Sequence, residues 1–325
     1  MRGIKSGASN MTTLRTCHQL LEQFPFKNLR FTNTKLPIFM QEGDNRDIYN
    51  ISSPFFHNGS QLLLGRAEFR DSEDSSVVFL RRNSGIWMLD DRYQPLEHLQ
   101  DPFYFIVDGK LIVGGVEVYR NEQNKVTYHT VFYRETDPFH LERFSCGPEH
   151  MKDIRLLELP DGKILVTTRP QGSSAGRGKI GFTVLRSLDE LDSRSILSAS
   201  ILEDQFTEEE WGGTNQLLLL KNGTVGVLSH IANFDEQGNR HYYSTCFLLD
   251  PATGKHLPMK IIAVRQNFED GPSKREDLKD VVFSGGLVRQ GNGTACLYCG
   301  VSDTEAHCIT IPDPFIEWEK SNILL

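Results

Sequence analysis

Five pairs of polar residues recur along this chain: Asn50 with Arg66, Asp101 with Glu117, Asp153 with Arg169, Asn215 with His230, and Ser284 with Asp303. Each pair brackets a short apolar stretch with Asn-Gly or Asp-Gly near its middle, and each partner stands about seven to ten residues from that turn. In a hairpin the second strand returns beside the start of the first, so residues equally far from the turn come together. Carboxylates gathered with Arg, His and Asn are the groups from which polar ligand pockets are made. A single pair would mark only where strands leave the core. Five pairs at matched offsets point to one shared pocket.

The elements that must position these residues are hairpins. The turns are HNG 57–59, VDG 107–109, PDG 160–162, KNG 221–223 and GNG 291–293, each between runs of Val, Ile, Leu and Phe. Asn-Gly and Asp-Gly favour tight turns between antiparallel strands. The turn glycines Gly59, Gly109, Gly162, Gly223 and Gly293 lie 50, 53, 61 and 70 residues apart, room for a four-stranded blade and growing loops. The expectation is an all-β fold, a five-bladed β-propeller with antiparallel four-stranded blades. Its strands, apolar along their length, would be buried on both faces between blades. The propeller would occupy 31–325 as a single domain, with 1–30 as an N-terminal extension. A propeller gathers equivalent ends of its inner strands round one axis, which turns the five pairs into a ring facing a central cavity.

A chain of 325 residues with 38% apolar and 24% charged residues can bury a large core. The first thirty residues hold no apolar run suited to a secretory signal, and nothing later has the length of a membrane span. The expectation is therefore a cytoplasmic protein without a membrane partner. Cys17, Cys146, Cys246, Cys296, Cys299 and Cys308 form no secreted disulfide framework. A net charge of −8 argues against nucleic acid as partner. The acidic stretch at 203–210 reads as a solvated loop.

Several motifs tempt and fail. Asn10, Asn50, Asn58, Asn222 and Asn292 each open an Asn-X-Ser/Thr triplet, three of them inside the hairpin turns, and are read as accidental. The segment 172–180, GSSAGRGKI, has Ile180 where a phosphate loop needs Ser or Thr. Cys296 and Cys299 sit three apart on an extended strand and so face opposite ways, which suits buried free thiols better than zinc. His307 lacks partners at ligand spacing and reads as structural. No metal set is visible.

The strings YNISSPF, LLGRAEFRDS, LQDPF, GGVEVY, KDIRLLELPDGKILVTTRPQG, GRGKIGF, LSHIANFDEQGNRHYY, VVFSGGL and LYCGVSDTEAH resemble the β-1,2-mannosyltransferase-phosphorylases over about residues 45–315. That five-bladed propeller family is distantly related to bacterial β-mannoside phosphorylases. The resemblance implies an enzyme that makes and breaks β-1,2-linked mannose oligomers, with inorganic phosphate, mannose 1-phosphate and, for some members, GDP-mannose as partners and no bound cofactor. Inverting phosphorolysis needs one acid to protonate the leaving oxygen and no base, because phosphate is already a nucleophile. A cationic cradle takes the base's place.

Asp101 in LQDPF matches the aspartate of the Glu-Asp-Pro-Arg motif of the related phosphorylases, which implies that it is the general acid. The chain departs from that motif at Gln100 and Phe103, which bears on sugar selectivity. Asp303 matches a last-blade aspartate that grips mannose hydroxyls, and Arg66 with Glu68 occupies a similar sugar-binding strand. Asp153 and Asn50 join this sugar-binding set. Carboxylates accept hydrogen bonds from adjacent hydroxyls, and the aromatic faces of Phe55 or Tyr242 can lie against a sugar ring. Asn50, Glu117 and Ser284 could equally satisfy buried backbone groups. The phosphate-binding candidates are Arg169, Arg177 and Lys179 around the Gly-rich segment, with Lys152, His230 and Tyr242. For Arg177 and Lys179 the alternative is a solvated loop. Two other functions stay open: a hydrolase or phosphorylase acting on a different β-mannoside, and a non-catalytic scaffold of repeat type.

Overall fold

In the computed structural model, residues 14–25 and 32–320 are described. Residues 1–13, within the expected extension and including Asn10, lie outside the described residues. Among the described residues the fold is β with short helices only, its strands paired antiparallel except at two short parallel contacts. All five expected hairpins form: Phe55–His57 with Ser60–Glu68, Leu99–Val107 with Lys110–Arg120, Arg155–Glu158 with Ile164–Thr168, Trp211–Leu219 with Val225–Phe234, and Asp280–Arg289 with Thr294–Val301. At the first two turns both central residues have positive φ, Asn58 and Gly59 at 45° and 72°, Asp108 and Gly109 at 50° and 72°. That is the backbone twist which joins two antiparallel strands without splaying them.

The described strands make four hydrogen-bonded sheets, of eight, seven, four and four strands, where the sequence suggested separate sheets of four. The largest arises because Arg240–Leu249 and Asp280–Arg289 touch through a short parallel bridge, His241 to Asp280 and Tyr242 to Val281, which fuses two antiparallel units. The seven-stranded sheet adds short edge pieces such as Ile38–Phe39 and Leu96–Glu97. The strand Thr32–Lys35 pairs with Glu305–Pro312, so the last sheet is completed by an early segment of the chain.

Within the stretch assigned to an extension, the helix Cys17–Gln23 is capped by Thr16 and buries Cys17 and Leu20. With Phe24 they join a cluster containing Phe206, Val227, Ile231 and Phe247. This short helix thus packs into the core of the β fold.

The innermost strands of the sheets are tied to one another. Asn50 Nδ2 donates to Asp101 Oδ1 at 2.8 Å, Arg155 Nε to the Asn215 carbonyl at 2.8 Å, and the Leu287 amide to Gln216 Oε1 at 2.6 Å. Gln216 Nε2 reaches Ser53 Oγ at 3.4 Å, and Ser53 meets Tyr104 OH at 3.2 Å. These links tie the inner strands of all four sheets together, the Leu287–Gln216 bond joining the two halves of the eight-stranded sheet. Packing there leaves no room for side chains at some positions: a Cβ on Gly300 would lie 2.0 Å from Asn50 Oδ1, and one on Gly213 2.5 Å from Asp153 Oδ2.

Candidate active site

Four of the polar residues singled out by spacing share an unusual backbone. Asn50, Asp101, Asp153 and Asp303 have φ of 45°, 49°, 58° and 52°. Asn and Asp tolerate this left-handed region better than other side chains, and such strain concentrates at functional sites. At Asp101 the cause is a bulge: Gly114 pairs with Phe103, then Val116 with Gln100, so Asp101 and Pro102 together face Gly115. The bulge aims Asp101 at the axis.

There a cavity of about 200 Å³ opens. Asn50, Arg66, Asp101, Lys152, Asp153, His230, Tyr242 and Asp303 line it, eight residues chosen from sequence and drawn from segments far apart in the chain. One group is centred on Asp101. Its Oδ1 accepts from Asn50 and lies 3.4 Å from Arg66 Nη1. Arg66 is held from behind by Glu68, Nε to Oε2 at 2.6 Å, and Glu68 also accepts from Tyr49 OH at 2.8 Å and pairs with Lys274. Burial works against the Arg66 charge, yet Asp101, Tyr49, Glu68 and Asp303 hold its pKa above the usual arginine value. Asp303 faces this group, and burial first, then the Asp101 and Glu68 charges, push its carboxyl up to about 6 against the opposing pull of Arg66 and Lys274.

The second group is centred on Asp153, which pairs with Arg169 Nη1 at 2.9 Å. Burial would raise this carboxyl, but Arg169, His230, Lys152 and Arg155 together bring it down to about 2. His230 is buried to the point that its pKa falls to about 3, Asp153 notwithstanding, so it is neutral at physiological pH. Its Nδ1 donates to Asn215 Oδ1 at 2.9 Å, which leaves Nε2 as an acceptor, and its ring stacks on Tyr242 with centroids 5.5 Å apart. Trp211 Nε1 donates to Tyr242 OH at 2.9 Å, so the tyrosine's own hydroxyl proton is available to a ligand. Beneath both groups Arg155 lies over the Phe103 ring at 4.0 Å, its pKa lowered by burial to about 10.

The remaining candidates lie elsewhere. Glu68 and Arg169 stand behind the wall, each supporting a lining residue. Arg177 is turned outward, over Trp211 at 5.9 Å and Phe234 at 5.4 Å, because the loop that closes with Gly172 to Gly176 swings it away from the axis. Lys179 is half-buried and does not line the cavity. Glu117 also misses it: beyond the bulge it pairs with Leu99 and turns to His129 at 2.8 Å and Arg143 at 3.0 Å. Ser284 is buried and donates to Ser244. Phe55 stacks on Tyr104, away from the cavity.

Sequence reasoning missed Glu73, Arg240, Lys274 and Arg275, all of which line the cavity. Lys274 and Arg275 sit on the loop before the last hairpin, outside the mirrored spacing, and their only signal is two adjacent cations after Gly271-Pro272. Among the described residues, no three His, Cys, Asp or Glu side chains are placed to hold a metal ion, and no helix is long and apolar enough to cross a membrane. The cysteines are free; Cys299 is buried, but Cys296 is only partly so. His307 is buried, with Nδ1 3.0 Å from Asn33 Oδ1 and Nε2 3.2 Å from the Glu305 carboxylate.

The family profile described as Protein of unknown function (DUF1861) matches residues 26–317. No curated protein matches by sequence. Among solved structures, MPT-4, a mannose phosphorylase from Leishmania mexicana in complex with phosphate ion, is 34% identical, with 94% of this chain and 96% of that one covered and a TM-score of 0.83. The chain belongs to the mannosyltransferase-phosphorylase family. A second member, MPT-1, a GDP-Man-dependent mannosyltransferase from the same organism, is 31% identical over 95% of this chain and 97% of that one, with a TM-score of 0.83. The β-1,2-mannobiose phosphorylase of Listeria innocua, at 17% identity, 86% and 93% coverage and a TM-score of 0.60, shares the fold. The two Leishmania members thus differ in activity, one a mannose phosphorylase and the other a GDP-Man-dependent mannosyltransferase.

Proposed function

We propose that this protein is an inverting mannosyl phosphorylase or transferase that makes and breaks β-1,2-linked mannose oligomers, with Asp101 as general acid. The observation that carries the reading is that one cavity sets a carboxylate group, Asp101 with Asn50, Arg66 and Asp303, beside a group suited to an anion, Lys152, His230 and Tyr242, in a wall where Asp153 is neutralised by Arg169 behind it. In phosphorolysis a phosphate oxygen bonds to the anomeric carbon while the bond to the bridging oxygen breaks and leaves its electron pair on that oxygen. Asp101 supplies the proton that this oxygen takes up. Its Oδ1 is anchored by Asn50 and Arg66, so Oδ2 is the oxygen that serves the substrate. The products are α-mannose 1-phosphate and an oligomer shorter by one unit.

Lys152 supplies charge to the phosphate, the Tyr242 hydroxyl donates to it, and neutral His230 accepts from a protonated phosphate oxygen. Arg169 acts through Asp153. Arg66 and Asp303 bind sugar hydroxyls, with Glu68 setting Arg66. In synthesis the acceptor hydroxyl gives its proton to Asp101, and phosphate, or GDP from GDP-mannose, leaves through the same group. We also read the eight-stranded sheet as two blades bridged by the short parallel pair, which makes the ring a five-bladed propeller; the five hairpins and the links between inner strands support this count.

Incubation with β-1,2-mannobiose and phosphate is expected to release α-mannose 1-phosphate, and Asp101→Asn to lower turnover at least about 100-fold while mannose still binds. Mannose released equally with and without phosphate would instead make the protein a hydrolase. A second assignment is favoured by the raised pKa of Asp303: if Asp303 is the proton donor, kcat/KM falls above about pH 6 and Asp101→Asn keeps most of its turnover.

A further inference from the structure

Beside the central cavity runs a larger groove of about 480 Å³, walled by the loop at 73–75, by His98 and Gln100, and by the end of the strand Lys110–Arg120. Glu73 and Gln100 belong to both spaces. We propose that this groove binds the units of a mannose oligomer that follow the first sugar past the bond being broken, and so sets the chain-length preference of the enzyme. The inference rests on the phosphorylase reading of the central cavity.

The direction of the groove is the first support. Gln100 immediately precedes Asp101, so the groove opens where the proposed acid meets the leaving oxygen, and the anion-binding residues Lys152, His230 and Tyr242 line the central cavity but not the groove. In an in-line displacement the departing saccharide leaves on the side opposite the phosphate, and the residues that join the two spaces, Glu73 and Gln100, lie outside the anion-binding group.

The lining is the second. Tyr119 presents a ring steadied by the His129 imidazole at 4.8 Å and by a hydrogen bond from its hydroxyl to Glu149 at 3.3 Å. Val126, on the neighbouring strand where it pairs with Arg120, also lines the groove and is 61% exposed. Around them stand fixed polar groups. Glu117 is held by His129 and Arg143, and His98, at φ 58°, pairs with Asp74 at 2.9 Å. An aromatic face with an apolar edge and pre-set carboxylates suits a sugar, whose rings offer C–H faces and whose hydroxyls donate. None of these residues has a part in the chemistry at the axis.

The test is phosphorolysis of β-1,2-mannobiose, mannotriose and mannotetraose by the full chain and by two variants. Tyr119→Ala is expected to raise KM for the tri- and tetrasaccharide about tenfold while leaving mannobiose within about twofold. Val126→Trp, which fills the groove from an exposed position, is expected to do the same by obstruction. An equal change for all three lengths, or no change in either variant, would overturn the proposal while leaving the phosphorylase reading intact. Wild-type protein that releases no α-mannose 1-phosphate from any of the three would overturn both.

Discussion

Asp303 offers the sharpest test of the electrostatics of the cavity. Its carboxyl is raised from the ordinary 3.8 to about 6, chiefly by burial and by the neighbouring charge of Asp101. Each pKa unit corresponds to about 1.4 kcal/mol, so at most about 3 kcal/mol disfavours the ionised form in the folded state. The folded protein holds this proton more tightly than the unfolded chain does. The penalty is therefore absent well below pH 3.8, grows between about pH 4 and pH 6, and is complete above that. Asp303→Asn cannot ionise and escapes it. Because the side chain opens partly onto the cavity, solvent screening reduces the gain, and about 1–3 kcal/mol of added stability is expected at pH 8. At pH 4 the two proteins should agree within about 0.6 kcal/mol. Urea unfolding at both values reads the difference directly. A variant equally stabilised at pH 4 and pH 8, or destabilised at pH 8, would refute the account. On the sugar-binding role proposed for this residue, turnover should fall with the same substitution.

Two further outcomes follow from the walls of the cavity. Lys274→Met leaves Glu68 with only Arg66 and Tyr49 and should destabilise the protein by about 3–5 kcal/mol in thermal unfolding, with the double variant Lys274→Met and Glu68→Gln recovering at least half of the loss. Arg177→Ala should change KM for phosphate less than about threefold, because its guanidinium covers Phe234 outside the cavity, whereas Lys152→Ala should raise it at least tenfold; equal effects of the two would return Arg177 to the phosphate site.

What was legible in the sequence was what depends on local turn chemistry and on counting. Asn58-Gly59 and Asp108-Gly109 can hardly be anything but tight turns, and once the turns are fixed, mirrored offsets bring Asn50, Arg66, Asp101, Asp153, His230 and Asp303 to one place. Two physical effects escaped it. A bulge shifts the register by one residue and reverses the facing of whatever follows, which sent Glu117 to the neighbouring groove while Asp101 stayed at the axis. Loop excursions obey no period, so Lys274 could not be placed against Glu68, 206 residues away, and Arg177 could not be seen to leave for Trp211 and Phe234. The short parallel bridge at His241 and Tyr242 was equally invisible, since two residue pairs leave no pattern.

The pairing of Thr32–Lys35 with Glu305–Pro312 has a consequence for biosynthesis. At Asn33 and His307 the two partners are 274 residues apart, so translation makes one side of this seam long before the other. Until then the early strand has an unsatisfied edge, a place where two nascent copies could pair with each other or where a chaperone could hold the chain. The catalytic mouth, whose Asp303 lies just before the late partner, can be assembled only when that wait is over.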